Sequence, residues 1–265
     1  MTKNNQPIGG EQMELTNQTV LITGASRGLG KALAKAFAGE GANVIINYFQ
    51  SKEKAETLAN NLGDNAIALQ ADVRDKEQVN KMIEEAKNYF QTPITTIVNN
   101  ALIDFRFDPV AQQNAFIVNW ENYQKQFEGS VKGALNTVQA CIRDMKEQNF
   151  GRIINIGTNL VQNPVVPYHE YTTGKAALLG FTRNMAKELG QHGITVNMIS
   201  GGLLKQTDAS SVTTEEVFSI IESTTPLQKA TTPDEFADTA LFFASPWARA
   251  VTGQNLVVDG GLVMD

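Results

Sequence analysis

The sequence predicts an α/β fold, a single doubly wound domain whose parallel sheet of about seven strands carries helices on both faces. Three observations lead there. Short runs rich in β-branched residues are nearly continuous in apolar character, the mark of strands buried on both faces. Between them lie segments with apolar residues at three- and four-residue spacing and charges on the opposite face. The chain has 265 residues, enough to bury one sizeable core, and shows neither an internal repeat nor a linker rich in Pro, Gly or Ser.

The elements follow in order. The start "MTKNNQPIGGEQ" is polar, and residues 1–13 are expected to form a disordered tail before a single domain over 14–265. "TVLIT" (Thr19–Thr23) is the first strand. The loop "TGASRGLG" (Thr23–Gly30) follows it directly and opens the helix "KALAKAFAGE". "NVIIN" (Asn43–Asn47) leads to "SKEKAETLANNL", and "AIALQA" leads to "KEQVNKMIEEAKNYF". "ITTIVN" precedes "VKGALNTVQACIRDMKEQ", "GRIINIG" precedes the helix "TGKAALLGFTRNMAKEL", and "ITVNMI" and "NLVVDGG" complete the sheet. Strand–helix alternation of this kind builds a parallel sheet by right-handed crossovers.

Composition removes several function classes. Hydrophobic residues make up 42% and charged residues 19%, as in a water-soluble globular protein. The net charge of -6 argues against nucleic acid or an anionic membrane as partner. Cys141 is the single cysteine and cannot form an internal disulfide, which points to a reducing cytoplasm. No apolar run reaches transmembrane length, and the start lacks the apolar centre of a signal peptide. The two histidines, His169 and His192, have no cysteine cluster near them, so no metal site is expected.

The chemistry begins at the glycine loop. Gly24 permits the sharp turn after the strand, Gly28 lets backbone approach a pyrophosphate, and Gly30 lets the helix lie close to the sheet. The helix start then offers free N–H groups and a positive dipole end to phosphates. A tight strand–helix turn without a ligand would use the same glycines. With its Gly-x-x-x-Gly-x-Gly spacing, "TGASRGLG" resembles the short-chain dehydrogenase/reductase family, classical branch. The likeness runs from about Leu15 to Val263, including the ending "GQNLVVDGG". It implies a Rossmann-type fold and an oxidoreductase. Within the family the chain looks most like the 3-oxoacyl-acyl-carrier-protein reductase group.

The resemblance implies a set of cofactor-binding residues. Gly24, Ser26, Arg27, Gly28, Leu29 and Gly30 would surround the pyrophosphate, and Asn47, Tyr48 and Ser51 would stand at the end of the second strand. Asp72 and Val73 would meet the adenine, while Asn99, Asn100 and Ala101 would line the nicotinamide ribose. Tyr171, Lys175 and Gly202 complete the set. The cofactor is expected to be NADP. An acid after the second strand would repel a 2′-phosphate; Tyr48 stands there instead, and Arg27 and Lys52 can supply positive charge.

Reducing a ketone also needs a proton, and a free tyrosine, with a pKa of about 10, exchanges protons poorly near neutrality. Tyr171 lies four residues before Lys175, so both point from one helix face into one cleft, and a nearby ammonium favours phenolate. Thr158, at the end of "GRIINIGT", lies thirteen residues before Tyr171, which is the family's spacing between its catalytic serine and tyrosine. Thr158, Tyr171, Lys175 and Ser130 are therefore the expected catalytic residues. Tyr168 lies seven before Lys175, the spacing of the enoyl-reductase branch, and is otherwise a wall of the substrate pocket.

Four positions depart from the family pattern. Leu102 follows "NNA" where the family usually has Gly, Thr158 replaces the serine, and Ser130 stands for the asparagine that helps hold a relay water. "SGGLL" (Ser200–Leu204) replaces the usual Pro-Gly at the entry to a substrate lid over about 203–226, which carries Val212, Phe218 and Ile221. The expected reaction is NADPH-dependent reduction of a ketone, a 3-oxoacyl thioester (on an acyl carrier protein) or a related carbonyl compound. Asn149 and His192 stand where carrier-protein-using relatives tend to show arginine. The alternatives are a non-catalytic or low-activity NADP-binding protein and an enoyl reductase using Tyr168. A cytoplasmic homotetramer is implied by the resemblance.

Overall fold

The computed structural model describes residues 13–103, 105, 107–108, 112–205, 207, 210 and 213–264. The expected tail lies outside them except for Met13, as does Val212 of the expected lid. Seven strands form one parallel sheet in the order β3-β2-β1-β4-β5-β6-β7. They are β1 (Thr19–Ile22), β2 (Asn43–Tyr48), β3 (Ala66–Gln70), β4 (Thr96–Asn99), β5 (Gly151–Thr158), β6 (Ile194–Gly201) and β7 (Asn255–Val258). The order reverses direction between β1 and β4, which is where ligands bind in open α/β sheets.

Helices α1 (Gly28–Gly39), α2 (Lys52–Leu62), α3 (Lys76–Phe90), α5 (Gly133–Glu147) and α6 (His169–Leu189) fill the predicted crossovers. Three more, α4 (Trp120–Phe127), α7 (Glu215–Thr224) and α8 (Pro233–Ala244), lie outside the helical segments read from the sequence. The sheet's two faces carry separate cores, as the period-two alternation of strand side chains requires. Val20, Ile22, Val44 and Ile46 pack with Phe37 of α1 and with Phe236 and Phe243 of α8. Leu21 and Ile45 pack on the other face with Met82 and Ile83 of α3 and with Val138, Cys141 and Met145 of α5. Each fully buried phenylalanine contributes about 1.5–3 kcal/mol over an exposed one. Cys141 is completely buried, and that burial pushes its thiol pKa up.

A buried polar chain crosses the second face. The Thr137 hydroxyl donates to Asn99 Oδ1 (2.7 Å), Asn99 Nδ2 donates to Asn155 Oδ1 (2.8 Å), and Asn155 Nδ2 donates to Thr182 Oγ1 (2.8 Å). It joins α5, β4, β5 and α6 through four side chains that are all buried.

Helix starts are explicit in the sequence. Asp75 caps α3 by accepting from the N–H groups of Glu77 (2.9 Å) and Gln78 (3.1 Å). Thr232 and Glu235 form a reciprocal capping box at α8, with Pro233 in the first turn. Among the described residues no helix is long and apolar enough to cross a membrane. Thr232→Ala should lower the free energy of unfolding by about 1 kcal/mol through loss of this cap. Urea denaturation followed by circular dichroism measures it; an unchanged midpoint would mean that the cap adds nothing.

Candidate active site

The glycine loop sits at the carboxyl end of β1, held from both sides. The Asn47 side chain accepts from Gly24 N (3.2 Å) and donates to the Ala71 carbonyl (3.1 Å). The Thr23 hydroxyl accepts from the N–H groups of Asn100 (2.9 Å) and Ala101 (3.0 Å), and Asn100 Nδ2 donates to the Thr23 carbonyl (2.9 Å). Asn47, Asn99 and Asn100, expected to touch cofactor, thus also brace the loop and sheet through their side chains. A Cβ on Gly30 would stand 2.4 Å from the Gly24 carbonyl oxygen, so only glycine lets α1 start this close. Gly28 opens the helix at φ +52, a left-handed backbone that favours glycine.

This cradle fits a dinucleotide. In contrast to α3 and α8, no side chain caps α1, leaving its first N–H groups and positive dipole end for a phosphate. The segment after β6 comes down on the same loop: a Cβ on Gly28 would lie 3.6 Å from Cβ of Thr207. Ser26 is buried within the loop, and Leu29 packs on the first core. Gly202 lies against Asp259 and Asn159, whose side chains hydrogen bond at 2.9 Å.

At the adenosine end the structure adds residues that the motifs do not mark. Arg74 grips Asp72 through Nε (2.9 Å) and Nη2 (2.7 Å) and holds its carboxyl below the usual range. The same guanidinium lies 6.0 Å from the ring centroid of Phe49, which is exposed at the end of β2. Tyr48 turns inward and packs with the first core, while Ser51 stands directly before α2. Lys52 pairs with Glu56 at 3.6 Å on the surface, and exposed Arg27 directly precedes α1. Val73 crowds Gly133, and its carbonyl accepts from Asn136 Nδ2 (2.8 Å).

The expected catalytic side chains converge where β5 ends and α6 begins. The Thr158 hydroxyl neighbours the Tyr171 phenol closely enough to act on its pKa. One turn along, Lys175 Nζ donates to the Ile156 carbonyl (2.7 Å) and lies 5.8 Å from the Tyr171 ring centroid. Burial pushes the Tyr171 phenol above its ordinary pKa, opposed by the neighbouring Thr158 side chain, and pushes Lys175 down to about 8. The expected lowering of the phenol by the ammonium is thus not the dominant effect in this conformation. Lys175 faces the ring and a backbone carbonyl, and desolvation outweighs it. Ser130 is buried in a π-helical turn, Glu128–Lys132, between α4 and α5. With Lys175, Thr23 and Asn99 it lines a cavity of about 10 Å³. That is close to the volume one water needs.

Tyr168 directly precedes α6 and is buried, its pKa raised by desolvation and then by Asp108. Phe105 and Phe107, from the loop after β4, contact both tyrosines. The lid segment closes on itself through Lys205 and Glu222 (2.7 Å), with Phe218 buried beneath. Among the described residues no group of acids, histidines and cysteine is arranged to hold a metal ion.

Comparison with known proteins agrees with the fold. A 3-oxoacyl-[acyl-carrier-protein] reductase of Synechocystis is 35% identical over 94% of this chain and 98% of its own length. One from Staphylococcus aureus is 33% identical over 95% and 100%. The family profile described as enoyl-(acyl carrier protein) reductase matches residues 24–263. The chain belongs to the short-chain dehydrogenase/reductase family. A crystal structure of a gluconate 5-dehydrogenase from Burkholderia cenocepacia, in complex with NADP and tartrate, superposes with a TM-score of 0.83. That chain is 29% identical, and the match covers 95% of this chain and 96% of that one.

As a short-chain dehydrogenase/reductase, the protein is an oxidoreductase of a family that uses NAD or NADP. Two hydroxyls at the sheet edge, Thr158 and Tyr171, can together hold one carbonyl oxygen, the second with a proton to give. The sequence motifs mark these groups but not Arg74, Phe49, Phe105 and Phe107, which the structure places around the expected site. "ADVRD" does place an arginine two residues beyond Asp72, whereas nothing in "LIDFRF" says which ring will meet a tyrosine.

Proposed function

We propose that this chain is an NADPH-dependent carbonyl reductase in which Tyr171 gives the proton. The convergence of Thr158 and Tyr171, with Lys175 one turn beyond on α6, carries the reading. The bound dinucleotide supplies the hydride. The protein's own groups do the rest. Thr158 and Tyr171 orient the carbonyl oxygen, and Tyr171 passes its proton as that oxygen gains charge. Lys175, desolvated and poised near neutrality, stabilises the phenolate that results. Ser130 and the water-sized cavity beside Lys175 offer the path by which a proton returns.

The substrate class is a 3-oxoacyl thioester or a related ketone, in line with the two reductases of similar sequence. A second reading, reduction of a C=C bond with Tyr168 as donor, is favoured by the enoyl-reductase description of the matching family profile. Tyr171→Phe separates the two. It keeps the ring but removes the proton, so ketone turnover should fall by roughly 10²–10⁴-fold with cofactor affinity little changed. Tyr168→Phe should change the apparent substrate affinity more than the maximal rate. If Tyr168→Phe is the inactive variant and Tyr171→Phe still turns over, enoyl reduction takes its place. Tight NADPH binding by the unmodified protein, with no turnover on a panel of ketones and enoyl thioesters, would support a non-catalytic role.

The preference for NADPH rests on Arg27 beside the glycine loop, with Arg74 as a second cation at the adenosine end and no acid ending β2. Arg27→Ala should weaken NADPH binding by about 1–3 kcal/mol, the range for a charge-assisted hydrogen bond, and leave NADH almost unaffected. Isothermal titration with both cofactors measures this, and equal losses would remove the phosphate assignment.

A homotetramer in a reducing cytoplasm completes the proposal, with α5 and α6 meeting their symmetry mates. Sedimentation velocity at micromolar concentration should give a tetramer; a stable monomer would exclude it.

A further inference from the structure

The ring of Phe105 lies flat on the ring of Tyr171, with centroids 4.4 Å apart and planes 14° from parallel. Phe107 meets Tyr171 edge-on at 5.4 Å, and Tyr168 meets Phe105 edge-on at 5.2 Å. Leu102, Leu160 and Val166 pack around these rings. Tyr171 is left with 5% of its surface exposed. With the phenol this enclosed, a ketone can reach its hydroxyl only if part of the lining moves. Tyr168 adjoins α6 and Tyr171 belongs to it, whereas Phe105 sits outside any helix or strand on the connection from β4. Phe107 lies on the same connection, but Phe105 is the ring stacked flat on the phenol, so its place is the one a flat group can take.

We infer that Phe105 is a displaceable plug whose ring marks the place of the substrate's own flat, uncharged group, which makes planar aryl or conjugated ketones the preferred substrates. This rests on the carbonyl-reductase reading and takes its related-ketone arm in place of the 3-oxoacyl thioester. A flat ring taking the place of Phe105 recovers the stacking on Tyr171 and the edge contacts with Phe107 and Tyr168, whereas a puckered or branched group of equal size does not. Among the described residues, Leu102, Leu160, Val166 and Phe107 pack around the place of that ring. A charged group set among these apolar side chains would lose its hydration without gaining a partner, which disfavours an anionic substrate. Displacing the plug lowers apparent affinity for every substrate by the cost of opening.

Acetophenone and methyl cyclohexyl ketone test this, since both have eight carbons and differ in the flatness of the ring; 4-acetylbenzoate adds a charge. Binding is measured by titration calorimetry and turnover by cofactor oxidation, so the two are read independently. Acetophenone should bind more tightly than methyl cyclohexyl ketone by roughly 3–10-fold, the size of one aromatic pair. 4-Acetylbenzoate should bind more weakly than acetophenone. Phe105→Ala should tighten binding of both neutral ketones by roughly 3–10-fold while keeping the preference for the flat ring. Phe105→Leu, which keeps apolar volume and guards against misfolding, should fall between. Equal binding of the two neutral ketones, or unchanged or weaker binding by a folded Phe105 variant, overturns the plug while leaving any ketone turnover intact. The predicted binding pattern without turnover on either cofactor would instead refute the carbonyl-reductase reading and leave the plug standing.

Discussion

Everything at the site depends on the buried chain of amides and hydroxyls that runs from Thr137 through Asn99 and Asn155 to Thr182. In the low-dielectric interior each link left unmade would cost about 1–3 kcal/mol, so the members hold one another at a fixed separation. The chain joins the strand that ends at Thr158, the helix that carries Tyr171 and Lys175, and the helix that continues from Ser130. An apolar interior could slide by a fraction of an ångström to relieve strain. Three directional bonds at 2.7–2.8 Å across four elements leave much less freedom.

That rigid frame permits a site whose ionisable groups are desolvated. The same burial drives Tyr171 toward its neutral, proton-bearing form and Lys175 toward its neutral form. Charge brought into the cleft then meets little competing solvent, and modest changes in geometry carry large electrostatic consequences. The aromatic loop residues work in the same direction, since Phe105 and Phe107 both pack on the phenol ring.

The layered fold was legible because it rests on local signals. The apolar runs fell on the seven strands, and the glycine loop fell at the switch point between β1 and β4. Helix α8 was equally explicit, with a threonine cap, Pro233 and Glu235 ahead of an apolar face, although it was not read as a helix. The inward turn of Tyr48 was also readable: Val44, Ile46 and Tyr48 alternate along β2 toward one face, with Asn47 on the other, beside Met82. At the site, the register of Thr158, Tyr171 and Lys175 was visible because it depends on one strand end and one helix face. The contact of Phe105 with Tyr171 was not, because the path of the connection after β4 has no periodicity to read. The balance of pKa effects at Tyr171 was hidden for a related reason: spacing shows proximity to an ammonium but not how much water the neighbours exclude.

Cys141 belongs to the same packed face, on the helix that continues from Ser130. As the chain's single thiol, buried and with its ionisation suppressed, it is shielded from alkylating and oxidising reagents while α5 stays docked. Its rate of modification is therefore an internal clock for the opening of that helix. A slowly reacting dye, added without any engineered label, would report how often the wall beneath the catalytic cleft comes loose.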